Sequence, residues 1–336
     1  MNIFPTVAAF EHALTAMPAP CADSIAAATA RQNSLTKPAG SLGRLEEIAI
    51  FLAGWQRTER PKADHARAAI FAGNHGFTVH GVSAFPAAVT VEMVRNFQAG
   101  GAAINALARA AGMELTVVAL DLDRPTADFT TAPAMTEAEC LAALSAGAAV
   151  VDPDLNLLVL GEMGIGNSTA AAALCARSFG GSPEDWVGPG TGVDAAGIVR
   201  KIAVIEQALA LHSDMAPFEI LRRLGGREIA AIAGAVLQAR KLGIAVVLDG
   251  FISCAAIAPL AAAAPTIADH IIAGHCSAEP GHRRLLDRLG LKPLLALDMR
   301  LGEGSGAAVA VAVIRAALAA HDGMATFAEA GVSNAG

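Results

Sequence analysis

A chain of 336 residues is long enough for one large buried core, or for a large core and a small one. Hydrophobic residues make up 54% and charged ones 16%, a balance that suits a compact enzyme built around a covered sheet and excludes a disordered chain. The formal net charge is -7 and no dense run of Lys and Arg occurs, so no nucleic-acid footprint is present and small-molecule chemistry is expected.

Residues 1–22 carry Glu11, His12 and several prolines where a signal peptide needs a basic start and an unbroken apolar centre. The long apolar stretches are alanine-rich and broken by Gly, Pro or charge within the roughly 20 residues that a bilayer crossing requires. A cytoplasmic location with no membrane span is the expectation. Cys21, Cys140, Cys175, Cys254 and Cys276 form no C-x-x-C pair and read as small buried apolar residues, so neither a zinc site nor a disulfide frame is expected.

Residues 1–60 read as helices: 24–32 is alanine-rich, and 41–55 is amphipathic with Leu42, Leu45, Ile48 and Leu52 on one face. Lys37, in the Pro-Gly turn between them, reads as solvated. After Pro61 six apolar runs, 68–72, 115–120, 155–160, 244–248, 270–273 and 294–297, alternate with helix-length segments. Runs without polar alternation predict parallel strands covered on both faces, and so an α/β fold with a sheet of about six strands flanked by helices. Residues 321–336 read as a frayed end.

Open parallel sheets bind ligands beyond the carboxyl ends of their strands. Here those ends are Gly73-Asn74-His75-Gly76, Asp121-Leu122-Asp123, Gly161-Glu162-Met163-Gly164, Asp249-Gly250-Phe251, Gly274-His275-Cys276-Ser277 and Asp298, the last leading through Arg300 to Glu303. Polar and glycine residues collect at one end of every run, which predicts a site along that edge.

Gly161-Glu162-Met163-Gly164-Ile165-Gly166-Asn167-Ser168-Thr169 leaves a strand and enters an alanine-rich helix, placing free N–H groups, hydroxyls and a positive dipole end together, a combination that fits a phosphate. It is neither a Walker A loop nor a dinucleotide G-x-G-x-x-G fingerprint. Gly188-Pro189-Gly190-Thr191-Gly192 is a second glycine loop, with Lys201 beyond it as a point-charge partner for a phosphate monoester. Gly225-Gly226-Arg227-Glu228 opens another helix. The carboxylate of Leu301-Gly302-Glu303-Gly304-Ser305-Gly306 has two readings: a base facing a substrate, or an acid near a helix start that Ser305 caps. His275, Glu279 and His282 have ligand-like spacing, but Pro280 and Gly281 interrupt it, and no metal or other cofactor is expected. The adjacent acids that grip ribose in transferases using phosphoribosyl pyrophosphate are missing; Asp121 and Asp123 are separated. A ribosyl donor would therefore carry another leaving group.

Several stretches taken together resemble one family: Ser41-Leu42-Gly43-Arg44-Leu45-Glu46, Gly81-Val82-Ser83-Ala84-Phe85-Pro86, the two glycine loops, Gly225-Gly226-Arg227-Glu228-Ile229, Leu248-Asp249-Gly250-Phe251, His275-Cys276-Ser277-Ala278-Glu279 and the Glu303 motif. The chain resembles the nicotinate-nucleotide:dimethylbenzimidazole phosphoribosyltransferases of cobalamin lower-loop assembly, from about residue 36 to 319. The resemblance implies transfer of phosphoribose from nicotinate mononucleotide to dimethylbenzimidazole with inversion, giving α-ribazole phosphate and nicotinate. It implies a Rossmann-like sheet in a large domain, 61–306, with a small helical domain from 1–60 and 307–336, and a homodimer whose site the second subunit completes. Glu303 then matches the base and Glu162 the second carboxylate. Gly164, Gly166, Asn167, Ser168, Thr169, Gly188, Gly190, Thr191 and Lys201 surround the nucleotide, and Phe85, Met93 and Leu301 match the benzimidazole pocket. Asn74 stands where the family often has Asp, and is given no role. A nicotinamide-dependent oxidoreductase and a nucleotide-binding protein without turnover are the alternatives on the same fold, the former disfavoured by glycine spacing.

Overall fold

Five strands, β1 (Ala66–Ala72), β2 (Glu114–Ala119), β3 (Leu157–Met163), β4 (Val246–Leu248) and β5 (Ile271–Ala273), form a parallel sheet in the order β2-β1-β3-β4-β5. The structure is a computed structural model and describes residues 2–333. Alternate side chains of each strand point to opposite faces. Ala69, Phe71, Leu158 and Leu160 join one core with the helices Glu137–Ala149, Asn167–Phe179 and Arg227–Leu242. Ala68, Ile70, Leu157 and Val159 join a second with Arg44–Gln56, Ala103–Ala110 and Ser305–Gly323. The two-faced burial that makes the strands read as unbroken apolar runs is thus real for the central strands. Edge strand β2 is only partly covered.

The sixth expected strand, 294–297, does not form. Leu295 makes a single parallel bridge to His275 beyond the end of β5. Pro293 has no N–H to extend a ladder, and Ala296 and Leu297 face solvent, so nothing covers that edge. In the other direction β3 continues past Leu160 to Met163, which puts Glu162 inside the strand. The chain leaves β1 toward β2 on one side and enters β3 on the other, so the order reverses between β1 and β3. Their carboxyl ends flank the crevice where such sheets take ligands.

The two chain ends meet on the second face. Arg31 Nε donates to the His321 carbonyl at 2.8 Å, the Gln32 and His321 side chains bond at 2.8 Å, and Leu35 bridges Thr326. Residues 321–333 are accordingly not frayed: His321 is buried, and the short helix Phe327–Ala330 is capped by Thr326. The last three residues of the expected frayed end lie outside the described ones. The first helix, Val7–Thr15, goes to the opposite face, where Phe10 meets Phe218 at 5.7 Å between ring centroids. Lys37 is buried rather than solvated, because Glu46 lies 2.8 Å away and compensates its charge. Four cysteines are buried and Cys21 is partly exposed; all five are free. Ser305–Gly323 is long and apolar enough to cross a membrane, but half of that stretch is buried inside the protein.

Candidate active site

The crevice is a cavity of about 620 Å³, open mouth included, between the end of β3, residues 82–83 and the segments 189–193 and 300–302; Gly188 lies behind this lining, where its carbonyl accepts from Lys201. One end holds carboxylates. Glu303 is 6% exposed and has φ +60°, between Gly302 at φ +80° and Gly304 at φ +73°. Three successive left-handed residues are tolerable only because two are glycines; Glu303 itself bears strain of about 1–3 kcal/mol that the surroundings must hold. They do so through Asp249 at the end of β4, whose carboxylate accepts from Gly304 N at 3.1 Å and Ala307 N at 2.9 Å. Gly161 completes the arrangement, since a Cβ there would lie 2.3 Å from Gly304 N.

Ser305 does not cap the helix Ser305–Gly323. Its hydroxyl donates to the Gly302 carbonyl at 2.7 Å, and Asp249 takes the helix N–H groups instead. Glu303 is left with an unpartnered Oε2. Burial, with the charge of Asp249 adding to it, pushes its carboxyl up to about 7. Glu162, also 6% exposed, is pushed up to about 8 by burial, against the pull of a hydrogen bond from Asn167 Nδ2 and with Asp249, Glu228 and Glu303 adding to the rise. Two carboxyls that resist ionisation at neutral pH therefore stand side by side. Glu162, Leu301 and Gly302 line the cavity; Glu303 sits immediately behind Gly302.

The other end holds a buried cation. Lys201, 2% exposed, donates to the Gly188 carbonyl at 2.9 Å and to Ser168 Oγ at 3.0 Å. Burial pulls its pKa down from the usual lysine value, and Glu279 opposes that shift. Gly164, Gly166, Ser168, Gly190 and Thr191 line this end, at the positive end of the helix Asn167–Phe179. The cradle of glycine amides, a hydroxyl and an ammonium suits a phosphate monoester.

Not every expected residue comes here. Of the three side chains expected as donors, Asn167 and Ser168 line the cavity, Asn167 with its amide engaged by Glu162, and Thr169 is fully buried behind the helix start. Leu301 lines the cavity and is 53% exposed, whereas Phe85 is 49% exposed two residues beyond the lining Ser83, and Met93 packs partly buried on the second core. Asn74 donates to the Leu122 carbonyl at 3.0 Å and so ties the ends of β1 and β2. His275, Glu279 and His282 do not converge. Glu279 lines the cavity, His275 faces Asp249 at 3.5 Å, and His282 Nδ1 accepts from Ser277 N at 2.9 Å, its pKa driven down to about 3 by burial.

Sequence reasoning assigns no role to Asp249, Glu228 or Arg300. Glu228 is fully buried against His75, 2.7 Å from Nε2, at the end of β1, and Arg300 lines the cavity mouth. For Asp249 a signal exists: an acid directly after the apolar run 244–248, at the ligand-facing end of a strand.

A phosphoribosyltransferase family model matches residues 17–332. The chain is 74% identical over 336 residues to the nicotinate-nucleotide–dimethylbenzimidazole phosphoribosyltransferase of Novosphingobium aromaticivorans, covering 99% of both chains. It is 60% identical to the one from Rhodobacter capsulatus, covering 94% of this chain and 95% of that one. Among solved structures it is similar to CobT from Thermus thermophilus, with a TM-score of 0.87 and 43% identity, covering 93% of this chain and 100% of that one. Agreement in sequence over nearly the whole length and in fold puts the chain in the nicotinate-nucleotide–dimethylbenzimidazole phosphoribosyltransferase family.

Proposed function

We propose that this phosphoribosyltransferase moves phosphoribose from nicotinate mononucleotide to dimethylbenzimidazole, with Glu303 as the base. The observation that carries the assignment of Glu303 is its carboxylate, strained, buried and unpartnered, with a pKa near 7, behind the wall of a cavity whose far end holds a phosphate cradle.

The glycosidic nitrogen of nicotinate mononucleotide is a pyridinium. When its bond to the anomeric carbon breaks, the electron pair goes to that nitrogen and a neutral ring nitrogen departs, so no acid has to protonate it. One benzimidazole nitrogen supplies the pair for the new bond. The opposite N–H becomes acidic as the ring gains positive charge, and Glu303 takes that proton. Attack opposite the leaving group inverts the anomeric centre and gives the α product. The pyridinium charge of bound nicotinate mononucleotide favours the ionised form of Glu162, whose proton leaves to solvent as the nucleotide binds, and the carboxylate then stabilises the positive charge that builds on the ribose. Lys201, Ser168 and the amides of residues 164–166 and 190–191 anchor the phosphate and so fix the anomeric carbon against the incoming base.

The contacts between Arg31, Gln32 and His321 support a helical unit drawn from 1–60 and 307–336 on the large domain 61–306, with its first helix reaching across to the other face. The half-exposed Phe85 and Leu301 beside the cavity are apolar surface of the kind that a second subunit of a homodimer covers. The free thiols suit residence in the cytoplasm.

Incubation of the purified protein with both substrates, followed by chromatography, tests the function. α-Ribazole phosphate is the expected product. Retention of nucleotide without conversion would mark a binder, and reduction of an added nicotinamide dinucleotide would mark an oxidoreductase.

A further inference from the structure

Glu279 is 7% exposed and lines the cavity, yet neither carboxylate oxygen has a side-chain or backbone hydrogen-bond partner among the described residues. It stands where the chain turns into the helix Pro280–Leu289, at the N-cap position, but its side chain makes no capping bond. Gly188 makes room for it: a Cβ at that position would lie 2.2 Å from Glu279 Oε2. Burial raises its pKa, opposed by Lys201, the Gly190 amide and Arg300, so the groups of the phosphate cradle lie close to it. The Lys201 ammonium bonds instead to the Gly188 carbonyl and Ser168 Oγ. Leaving two buried acceptors unsatisfied is costly, and the cost is removed only when a ligand brings donors.

The substrates offer few donors. At neutral pH the phosphate and the nicotinate ring present acceptors, and the single N–H of dimethylbenzimidazole is the one that the reaction gives to Glu303. The 2′- and 3′-hydroxyls of the ribose remain. A carboxylate accepting from vicinal ribose hydroxyls is a recurrent solution to sugar recognition. Its place in the same cavity as the phosphate cradle around Lys201 suits a phosphoribosyl group, phosphate on the ammonium and hydroxyls on the acid.

Resting on the phosphoribosyl reading above, we infer that Glu279 binds the ribose hydroxyls of the nucleotide donor and sets selection for ribosyl over deoxyribosyl donors. It is a specificity residue, separate from the carboxylates at the other end of the cavity that act on the proton and the developing charge.

The test compares nicotinate mononucleotide with its 2′-deoxy and 3′-deoxy analogues for the wild type, Glu279→Gln and Glu279→Ala, measuring kcat/KM for each donor. Loss of a hydroxyl changes the intrinsic lability of the glycosidic bond, but that change is common to all three proteins and cancels when their donor ratios are compared. The wild type is expected to prefer the ribo donor over at least one analogue by roughly a hundredfold beyond the Glu279→Ala ratio, because a site built for a hydroxyl is left with unpaired groups when it is missing. Glu279→Gln, which keeps one acceptor, should fall between. A purely structural role would lower activity on all three donors by one factor. Unchanged ratios in both variants overturn the inference while leaving the transferase reading intact; absence of α-ribazole phosphate from the wild type on the natural donor would instead overturn that reading.

Discussion

The two ends of the cavity use the same local device, a glycine turn beyond a parallel strand, to opposite effect. Around Lys201 the turns bring donors together, and the ammonium among them is held in place by Gly188 and Ser168. Around Glu303 they bring acids together and leave them short of donors, with one oxygen of Glu303 unpartnered and Glu162 served by Asn167 alone. Preformed donors bind an anion that arrives charged. Carboxylates whose pKa values are raised toward neutral pH take up a proton or face a cation that appears only during reaction, which is where stabilisation accelerates chemistry rather than binding. The geometry thus divides binding from catalysis along the cavity.

The sharpest way to break that division is to alter one end and read both parameters. Glu303→Gln should lower kcat by about 10²–10⁴-fold, the usual worth of a positioned base, with nucleotide affinity measured by calorimetry little changed. Near-normal turnover would remove Glu303 from the chemistry. Lys201→Ala should do the reverse, weakening nucleotide binding by roughly 10–100-fold through loss of a charge-assisted hydrogen bond; an unchanged affinity would take the phosphate away from this end. Should both variants move the same parameter, the two ends are not separate.

Smaller effects sharpen the picture. Gly161→Ala forces a methyl group onto Gly304 N and should destabilise the fold by about 1–3 kcal/mol, read by denaturant titration, while shifting the Glu303 loop and lowering kcat. A variant as stable and as active as the parent would show that the loop does not rest on β3. The pH dependence of stability gives a second signal, spread over several pH units. Carboxyls raised to about 8 and about 7 in the fold, from 4.5 when unfolded, contribute stability in their neutral form below about pH 4.5 and lose it as pH rises through those values. Each contributes a slope of up to roughly 1.4 kcal/mol per pH unit within its window. Glu162→Gln should therefore flatten the fall in stability between about pH 4.5 and 8, measured by denaturant titration across pH; an unchanged slope would mean that Glu162 ionises freely in the fold.

Much of the cavity is legible in the sequence because its parts are local. Glycines in 161–169 and 188–192 announce turns, and the apolar runs before them announce buried strands whose ends must face a ligand. The sheet falls one strand short of expectation at 294–297, since a run of apolar residues shows composition but not whether anything covers it. Lys37 misleads for a related reason: a lysine in a turn reads as solvated until the fold brings Glu46 against it. Long-range pairings are the part that sequence spacing conceals. Asp249 holds the Glu303 loop across 55 residues, and Glu279 reaches the cavity of Lys201 from a different helix start. Ser305, by contrast, is the first residue of its helix and not the cap, which is Gly304; its hydroxyl turns back to Gly302, and Asp249 takes the Gly304 and Ala307 amides.

The central claim concerns one proton and can be tested in a single structure. In crystals soaked with dimethylbenzimidazole, one ring nitrogen should lie within hydrogen-bond reach, about 2.6–3.2 Å, of the Glu303 carboxylate, with the other nitrogen directed toward the phosphate cradle. A heterocycle seated elsewhere, with neither nitrogen able to reach residue 303, would contradict the account.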